Sequence, residues 1–181
     1  MKFKIGLLIV MVAIAFWAYG FFYDKDSEVI EDVIVVTDFL SCAEAGNAVM
    51  ESYPRQCRHG EVTYTEDIGN ELEKTDLIQV SYPRPGTKIS SPLVIQGMAR
   101  GFWFFEATFP VVLTDWDGKI IAEGYATAED PWMTEEFVSF SVEIQFEKPG
   151  FGERGTLVLR KSNPSDLPEN DDALEIPVFF E

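Results

Sequence analysis

The sequence predicts an all-β protein: an antiparallel β-sandwich of about seven strands, preceded by an N-terminal transmembrane helix and a small disulfide-stapled module. Three observations predict this arrangement. Short alternating apolar runs, separated by proline and glycine, recur about every 8 to 12 residues beyond residue 77. A run without any charged residue opens the chain, and both cysteines lie in one short segment. The predicted boundaries are 1–23, 24–65, 66–76 and 77–181.

The first element is the uncharged run 5–23, whose 19 residues are close to the roughly 20 that span a bilayer as a helix. Lys2 and Lys4 precede it, which predicts a cytoplasmic N-terminus under the positive-inside rule. The aromatic residues around position 21 fit a belt at the outer membrane interface. We therefore expect a single-pass membrane anchor with the rest of the chain outside the cytoplasm. Cleavage as a signal peptide, after Gly20, with secretion of the rest, is the alternative.

The module over 24–65 contains Cys42 and Cys57, a pair that is most simply a disulfide in an oxidising compartment. Asp38 or Ser41 is expected to cap a helical turn, and 61–65 to return as a hairpin strand. Zinc is disfavoured because the only histidine, His59, leaves a site without its usual four ligands. A nucleophilic cysteine is also disfavoured, since no third orienting group is evident. No metal or cofactor is therefore predicted.

This segment resembles a short Cys-pair module that recurs in exported bacterial proteins. The residues that carry the resemblance are Cys42, Gly46, Pro54, Cys57, Gly60, Thr63 and Tyr64. The end of the segment is superficially similar to Kazal-type inhibitors, but those have three disulfides. The resemblance implies no function. Residues 66–76 follow as a polar stretch without hydrophobic periodicity, which predicts a linker.

The sandwich is predicted from alternation and turn residues along 77–181. The Asp117-Gly118 pair predicts a tight turn between the third and fourth strands. No stretch in this part has strong helical periodicity with caps. The predicted strands are 77–80, 93–99, 104–113, 119–126, 137–146, 156–160 and 173–179.

Several motifs of this part, in order, resemble the immunoglobulin-like domain of bacterial spore germination proteins, a family found widely in exported bacterial proteins. The resemblance implies an immunoglobulin-like sandwich outside the cytoplasm, and it brings no catalytic residues. The matching stretches are 90–93, 97–101, 103–107, 109–111, 117–118, 122–124, 126, 128, 137, 140, 155–159, 163–165 and 169–172.

The aromatic run 102–105 is the most distinctive candidate for a binding surface. In a regular strand, Trp103, Phe105 and Phe109 would share the core face, and Phe102 and Phe104 would face solvent. Core packing is the main expectation for the run. The alternative is that Phe102 and Phe104 form a surface that stacks on sugar rings or contacts a protein.

Acidic residues supply two further candidates, and ordinary structural roles are favoured for both. The loop 162–172 is rich in oxygen ligands, but its spacing is not that of a calcium-binding EF-hand. Carboxylate pairs such as Glu135 with Glu136, or Glu106 with Glu123, would need a cleft that a small sandwich with short loops does not provide.

The chain as a whole has a formal net charge of −17, which excludes nucleic acid because phosphates would be repelled. The expected function is a non-catalytic cell-envelope protein that displays its sandwich for binding or assembly with another envelope protein. The alternative is a module that binds carbohydrate or peptidoglycan through exposed aromatics. A hydrolase is a distant third, because no Ser/His/Asp set and no phosphate-binding loop are present.

Overall fold

Eleven strands and two short α-helices form within residues 35–181, the part of the chain that the computed structural model describes. The predicted membrane anchor and residues 24–34 lie outside the described residues. Among the described residues no helix is long and apolar enough to cross a membrane. The helices are α1 (Phe39–Glu44) and α2 (Glu71–Lys74). The strands are β1 (Val49–Met50), β2 (Gln56–His59), β3 (Val62–Thr65), β4 (Ile78–Tyr82), β5 (Lys88–Ile89), β6 (Leu93–Arg100), β7 (Thr108–Asp115), β8 (Ile120–Ala128), β9 (Phe137–Ile144), β10 (Arg154–Arg160) and β11 (Ala173–Phe180).

The Cys module, residues 36–65, is one helical turn packed on a three-stranded sheet of order β1-β2-β3. Asp38 caps α1 by accepting the Ser41 backbone N–H at 2.8 Å, and the Ser41 hydroxyl oxygen accepts the Asp38 N–H in return. The Ser41 hydroxyl also donates to the Asp38 carboxylate at 2.7 Å, and this bond is the main cause that lowers the pKa of the Asp38 carboxyl. The predicted disulfide is confirmed: Cys42 on α1 is bonded to Cys57 on β2, and both are fully buried.

The sandwich consists of eight strands in the continuous order β4-β6-β9-β8-β7-β10-β11-β5. Strands β8 and β9 pair only at Thr127 and Ala128, so the sheet folds over at this point into two layers. One layer is β4, β6 and β9, and the other is β8, β7, β10, β11 and β5. Phe109 of β7 contacts Phe140 of β9 across the layers, with ring centroids 4.9 Å apart.

The core between the layers is built from the alternate residues that the strand pattern predicts. Each strand contributes apolar side chains to one continuous cluster. The fully buried members with the largest side chains are Trp103, Phe109, Phe140, Ile78, Ile89, Ile95, Leu113, Leu157, Leu159, Leu174 and Ile176. The polar residues between them face solvent on both outer surfaces.

The aromatic run 102–105 differs from the prediction because it is not part of a strand. Gly101–Trp103 forms a 3-10 turn, and β7 begins only at Thr108. Phe104 is therefore buried, with 3% exposure, and packs edge-on against Phe109 at 5.2 Å, so its predicted exposure is wrong. Phe105, predicted to face the core, is 45% exposed, whereas Phe102 is 50% exposed as expected. A 3-10 turn has three residues per turn, so the two-residue alternation of a strand does not apply.

A short strand that the sequence analysis missed, β5, pairs in parallel with the end of β11. It has only two residues between Pro85 and Pro92, too few for an alternating pattern to be visible. The total in the sandwich is therefore eight strands instead of about seven.

The predicted linker, 66–76, is folded against the sandwich. Ile68 is buried, and Asn70 bonds both to the backbone N–H of Glu175 at 2.8 Å and to the carbonyl of Ala173 at 3.0 Å. The amide side chain of Asn70 thereby takes the place of a neighbouring strand along the outer edge of β11. Gly69 fits there because a Cβ atom would lie 1.9 Å from the Glu175 carbonyl oxygen. The Cys module and the sandwich consequently form one compact unit, residues 36–181.

Candidate functional site

An open groove crosses the end of the sandwich at which β7 ends and β10 begins. It encloses about 820 Å³, within the range of about 300–1,000 Å³ that is typical of ligand clefts. Its walls come from the β7–β8 turn and from the loop between β9 and β10. The residues that line this aromatic groove are Ser91, Asp115, Trp116, Lys119, Ile120, Ile121, Gln145, Phe146, Glu147, Lys148, Pro149, Gly150 and Phe151.

Two aromatic side chains form the apolar part of the groove. Trp116 is 55% exposed and Phe151 is 77% exposed, although their rings are in edge-to-face contact with centroids 5.7 Å apart. A large aromatic residue normally gains free energy by burial, so an exposed pair held in a fixed arrangement indicates a surface available for a ligand.

The β7–β8 turn holds Trp116 in place through the side chain of Asp115. The Asp115 carboxylate oxygen Oδ1 accepts the backbone N–H groups of Asp117 at 3.0 Å and Lys119 at 2.9 Å. Such turns are typical of Asp followed by Gly two or three residues later. Trp116 is thereby held on a structured turn. The sequence predicts this turn, but it does not predict a role for the tryptophan.

The opposite wall is shaped to the indole ring at Gly152. This residue has φ of +80°, and a Cβ atom at this position would lie 2.4 Å from Trp116 Cδ1. Both the backbone conformation and the close approach of the ring require glycine. The indole is therefore packed on one side by main chain and by Phe151, while more than half of it stays accessible.

Charged side chains complete the groove. Lys119 and Lys148 are exposed, and within residues 35–181 neither makes an ion pair. Most arginines of the same part of the chain, by contrast, are paired with a carboxylate. Lys88 and Lys161 also make no ion pair within residues 35–181, so the groove is distinguished by having two such lysines beside its exposed rings.

The other candidate region is the junction between the Cys module and the sandwich, where two carboxylates are buried. The Glu66 carboxylate accepts two hydrogen bonds from the Arg55 guanidinium, one from Nε to Oε2 at 2.9 Å and one from Nη2 to Oε1. This pair of hydrogen bonds holds the pKa of the Glu66 carboxyl below its usual value, against the opposing effect of burial. The same bonds raise the pKa of the Arg55 guanidinium.

Glu71 is held by two donors at once. Arg84 Nη1 donates to its Oε1 at 2.5 Å, and the Tyr53 hydroxyl donates to its Oε2. Arg84 also reaches the Tyr53 oxygen, at 2.9 Å. Burial, followed by the bond to the Glu71 carboxylate, raises the pKa of the Tyr53 hydroxyl. Because each carboxylate has a cation and bonds from its partners, both are structural features, and the Glu71 bonds join Tyr53 of the Cys module to Arg84 of the sandwich.

The residues singled out from the sequence are separated in the structure. Phe102 precedes the first residue of β7, and the aromatic groove lies at the last residue of this strand. The eight extended residues of β7 span about 25 Å. Glu106, Glu123, Glu135 and Glu136 are all exposed. His59 is on the Cys module, where its Nδ1 lies 3.2 Å from Asn47 Oδ1. Among the described residues, no three His, Cys, Asp or Glu side chains are grouped as metal ligands.

Trp116 and Phe151 were not recognised from the sequence. Trp116 lies in the polar segment 115–118 and Phe151 lies between two glycines, so neither belongs to an alternating apolar pattern. This isolation is the signal from which both residues could have been found, because an aromatic residue in a polar turn is not expected to be buried in the core.

The two-layered arrangement defines an immunoglobulin-like β-sandwich with a ligand-sized groove at one end. Residues 77–167 match the Gmad2 family, described as the immunoglobulin-like domain of bacterial spore germination, and the chain belongs to this family. The matched range contains both Trp116 and Phe151. No curated protein and no solved structure shows significant similarity to the chain.

Proposed function

We propose that the protein is a non-catalytic binding module of the bacterial cell envelope, and that the aromatic groove is its binding surface. The N-terminal hydrophobic run would hold it on the outer side of the cytoplasmic membrane, with residues 36–181 as a single displayed head. The observation that carries the proposal is the exposed, fixed pair Trp116 and Phe151 in an open groove of about 820 Å³. Family membership supports a binding or assembly role.

The chemistry of the groove supports a non-catalytic role. Nucleophilic hydrolysis needs a Ser, Cys or Thr beside a base, and glycoside hydrolysis needs two carboxylates across a cleft. In the described part of the chain both cysteines are in a disulfide, and the one histidine lies on the Cys module. The groove does contain two carboxylates, Asp115 and Glu147, but Asp115 accepts the backbone N–H groups of Asp117 and Lys119 and so has a structural role in its own turn.

A photo-crosslinking residue in the producing bacterium tests the proposal. It replaces Ile120, which lines the groove, and in a matched strain it replaces Tyr125, which is more exposed and lies outside the groove on the same strand. We expect an adduct from position 120 that disappears when Trp116→Ala is added, and none from position 125. Equal adducts from both positions, or none from position 120, would contradict a binding role for the groove.

A further inference from the structure

We infer that the ligand of the aromatic groove is a glycan strand that carries sparse carboxylate groups, as in the amino-sugar polymer of a bacterial wall. The inference rests on the proposed function, because it names the ligand class of the same site. Three features of the groove carry it: the exposed rings, the two unpaired lysines and the position of the groove at the end of the sandwich.

The exposed rings match the face of a sugar. The C–H groups of a pyranose ring are weakly positive, and the face of an aromatic ring is negative, so the two surfaces attract while water is excluded. Trp116 offers the larger ring and is held by Gly152 and Phe151, so little side-chain entropy is lost on binding. Gln145 and Glu147, both exposed in the same groove, are of the type that bonds to sugar hydroxyl groups.

The lysines specify the charge of the ligand. Lys119 and Lys148 lie on the two loops that flank the groove and make no ion pair among residues 35–181, so both can receive a ligand carboxylate. The net charge of −17 would repel a dense polyanion such as a polyphosphate or a nucleic acid. A polymer with a carboxylate only at intervals meets the lysines without bringing many charges near the acidic surface.

A peptide is a poorer fit to this place in the fold. Extended peptides commonly bind by adding a strand to a sheet edge, and amphipathic helices need a continuous apolar channel. The groove lies where β7 ends and β10 begins, between a turn and a loop, and its lining mixes aromatic, aliphatic and charged residues. The only free strand edge in its lining is the two residues Ile120 and Ile121 at the start of β8, and the lining forms no continuous apolar channel.

Sedimentation with purified wall polymer tests the inference. The full chain, in detergent, is mixed with peptidoglycan from which phosphate-rich polymers have been removed, and the unbound fraction is measured. Wild type should sediment, Trp116→Ala should bind about tenfold or more weakly, and the Lys119→Gln/Lys148→Gln variant should bind several-fold more weakly. Lys88→Gln removes a lysine outside the groove, and Phe102→Ala an exposed ring at the other end, so both should bind as wild type does.

Chemical amidation of the polymer's carboxylates supplies a second readout. Amidation should reduce the binding of wild type to the level of the Lys119→Gln/Lys148→Gln variant. It should not change the binding of that variant. The inference is overturned if wild type does not sediment, if Trp116→Ala sediments normally, or if Phe102→Ala is the variant that fails. If position 120 crosslinks to a protein in cells while the polymer is not bound, the glycan is wrong and the proposed binding role stands.

Discussion

At the scale of single residues, the buried Glu66 shows how an ion pair stabilises the segment that leaves the Cys module. Its side chain accepts two bonds from Arg55, which is itself about half exposed. The favourable ion pair outweighs the desolvation of the carboxylate, as the lowered pKa of Glu66 indicates. A polar residue in an apparent linker can therefore stabilise the folded state as much as a core residue does.

Acid should remove the contribution of the Glu66–Arg55 pair to the free energy of unfolding. Glu66→Gln should remove the part of the pH dependence of stability that comes from this pair. A carboxyl whose pKa is lowered on folding stabilises the folded state above its unfolded pKa, near 4.5, and loses that effect as the pH falls through the folded value. We expect Glu66→Gln to lower the free energy of unfolding by about 1–2 kcal/mol at pH 7, with the difference from wild type shrinking below about pH 4.5. Urea unfolding at several pH values measures both quantities.

The matched control is Glu61→Gln, which changes an exposed glutamate 3.6 Å from Arg58 on the same module. It should leave stability and its pH dependence as in wild type, because exposed pairs contribute little. Equal losses in the two glutamine variants would show that Glu66 has no special role.

Gly152 supplies the prediction for the groove. Gly152→Ala should cost about 1–3 kcal/mol, because alanine is strained at φ of +80° and its methyl group would collide with Trp116. The indole should also move, which tryptophan fluorescence detects as a shifted emission of the native state. Gly150→Ala is the control, since no atom lies within 4 Å of a Cβ there and its φ is not positive. A normal emission spectrum and unchanged stability in Gly152→Ala would be incompatible with the described contact.

At the scale of elements, the regular strands and the Asp117-Gly118 turn could be predicted from the sequence, whereas the irregular segment before β7 could not. Strand β9 alternates along its length, and the prediction over 137–146 matches Phe137–Ile144. The prediction for the segment before β7 was wrong because Glu106 and Ala107 adopt positive φ values of 51° and 62°, which no local residue pattern indicates. Phe104 was consequently assigned to the wrong side. The groove was missed for a related reason, since it is built by two loops that are distant in sequence.

The Cys42–Cys57 disulfide is the element-scale prediction, because it closes 15 residues of a module too small to have a large core. Its loss should lower the stability of the Cys module by about 3 kcal/mol on the chain-entropy estimate. Unfolding of wild type with reductant should match that of Cys42→Ser/Cys57→Ser without it, and reductant should not affect the double variant. Hydrogen exchange at Tyr64 reports the module directly. Unchanged exchange after reduction would mean that the strands and the junction hold the module without the disulfide.

At the scale of the whole molecule, one head of 146 residues combines a stapled module and a sandwich, joined by Asn70 and by the bonds of Glu71 to Tyr53 and Arg84. The aromatic groove is built by two loops of this head. Rigid scaffolds with functional loops are a common way to present a binding surface.

The proposed location gives a prediction at this scale. Ser165→Cys places a thiol on an exposed loop of the sandwich, and Lys2→Cys places one before the hydrophobic run. In intact cells a membrane-impermeant maleimide should label the first variant as strongly as after lysis, and the second only after lysis. The reverse pattern, or labelling of neither before lysis, would place the head in the cytoplasm.

The central claim is that the aromatic groove is occupied in the envelope, and hydroxyl-radical footprinting of intact cells measures this most directly. Trp116 and Phe151 should be modified more slowly in cells than in the purified full chain, whereas Phe102 and Met133, which are also exposed, should react equally in both. Protection confined to Trp116 and Phe151 is the result that the account predicts. Equal modification of Trp116 and Phe151 in cells and in the purified protein would contradict it.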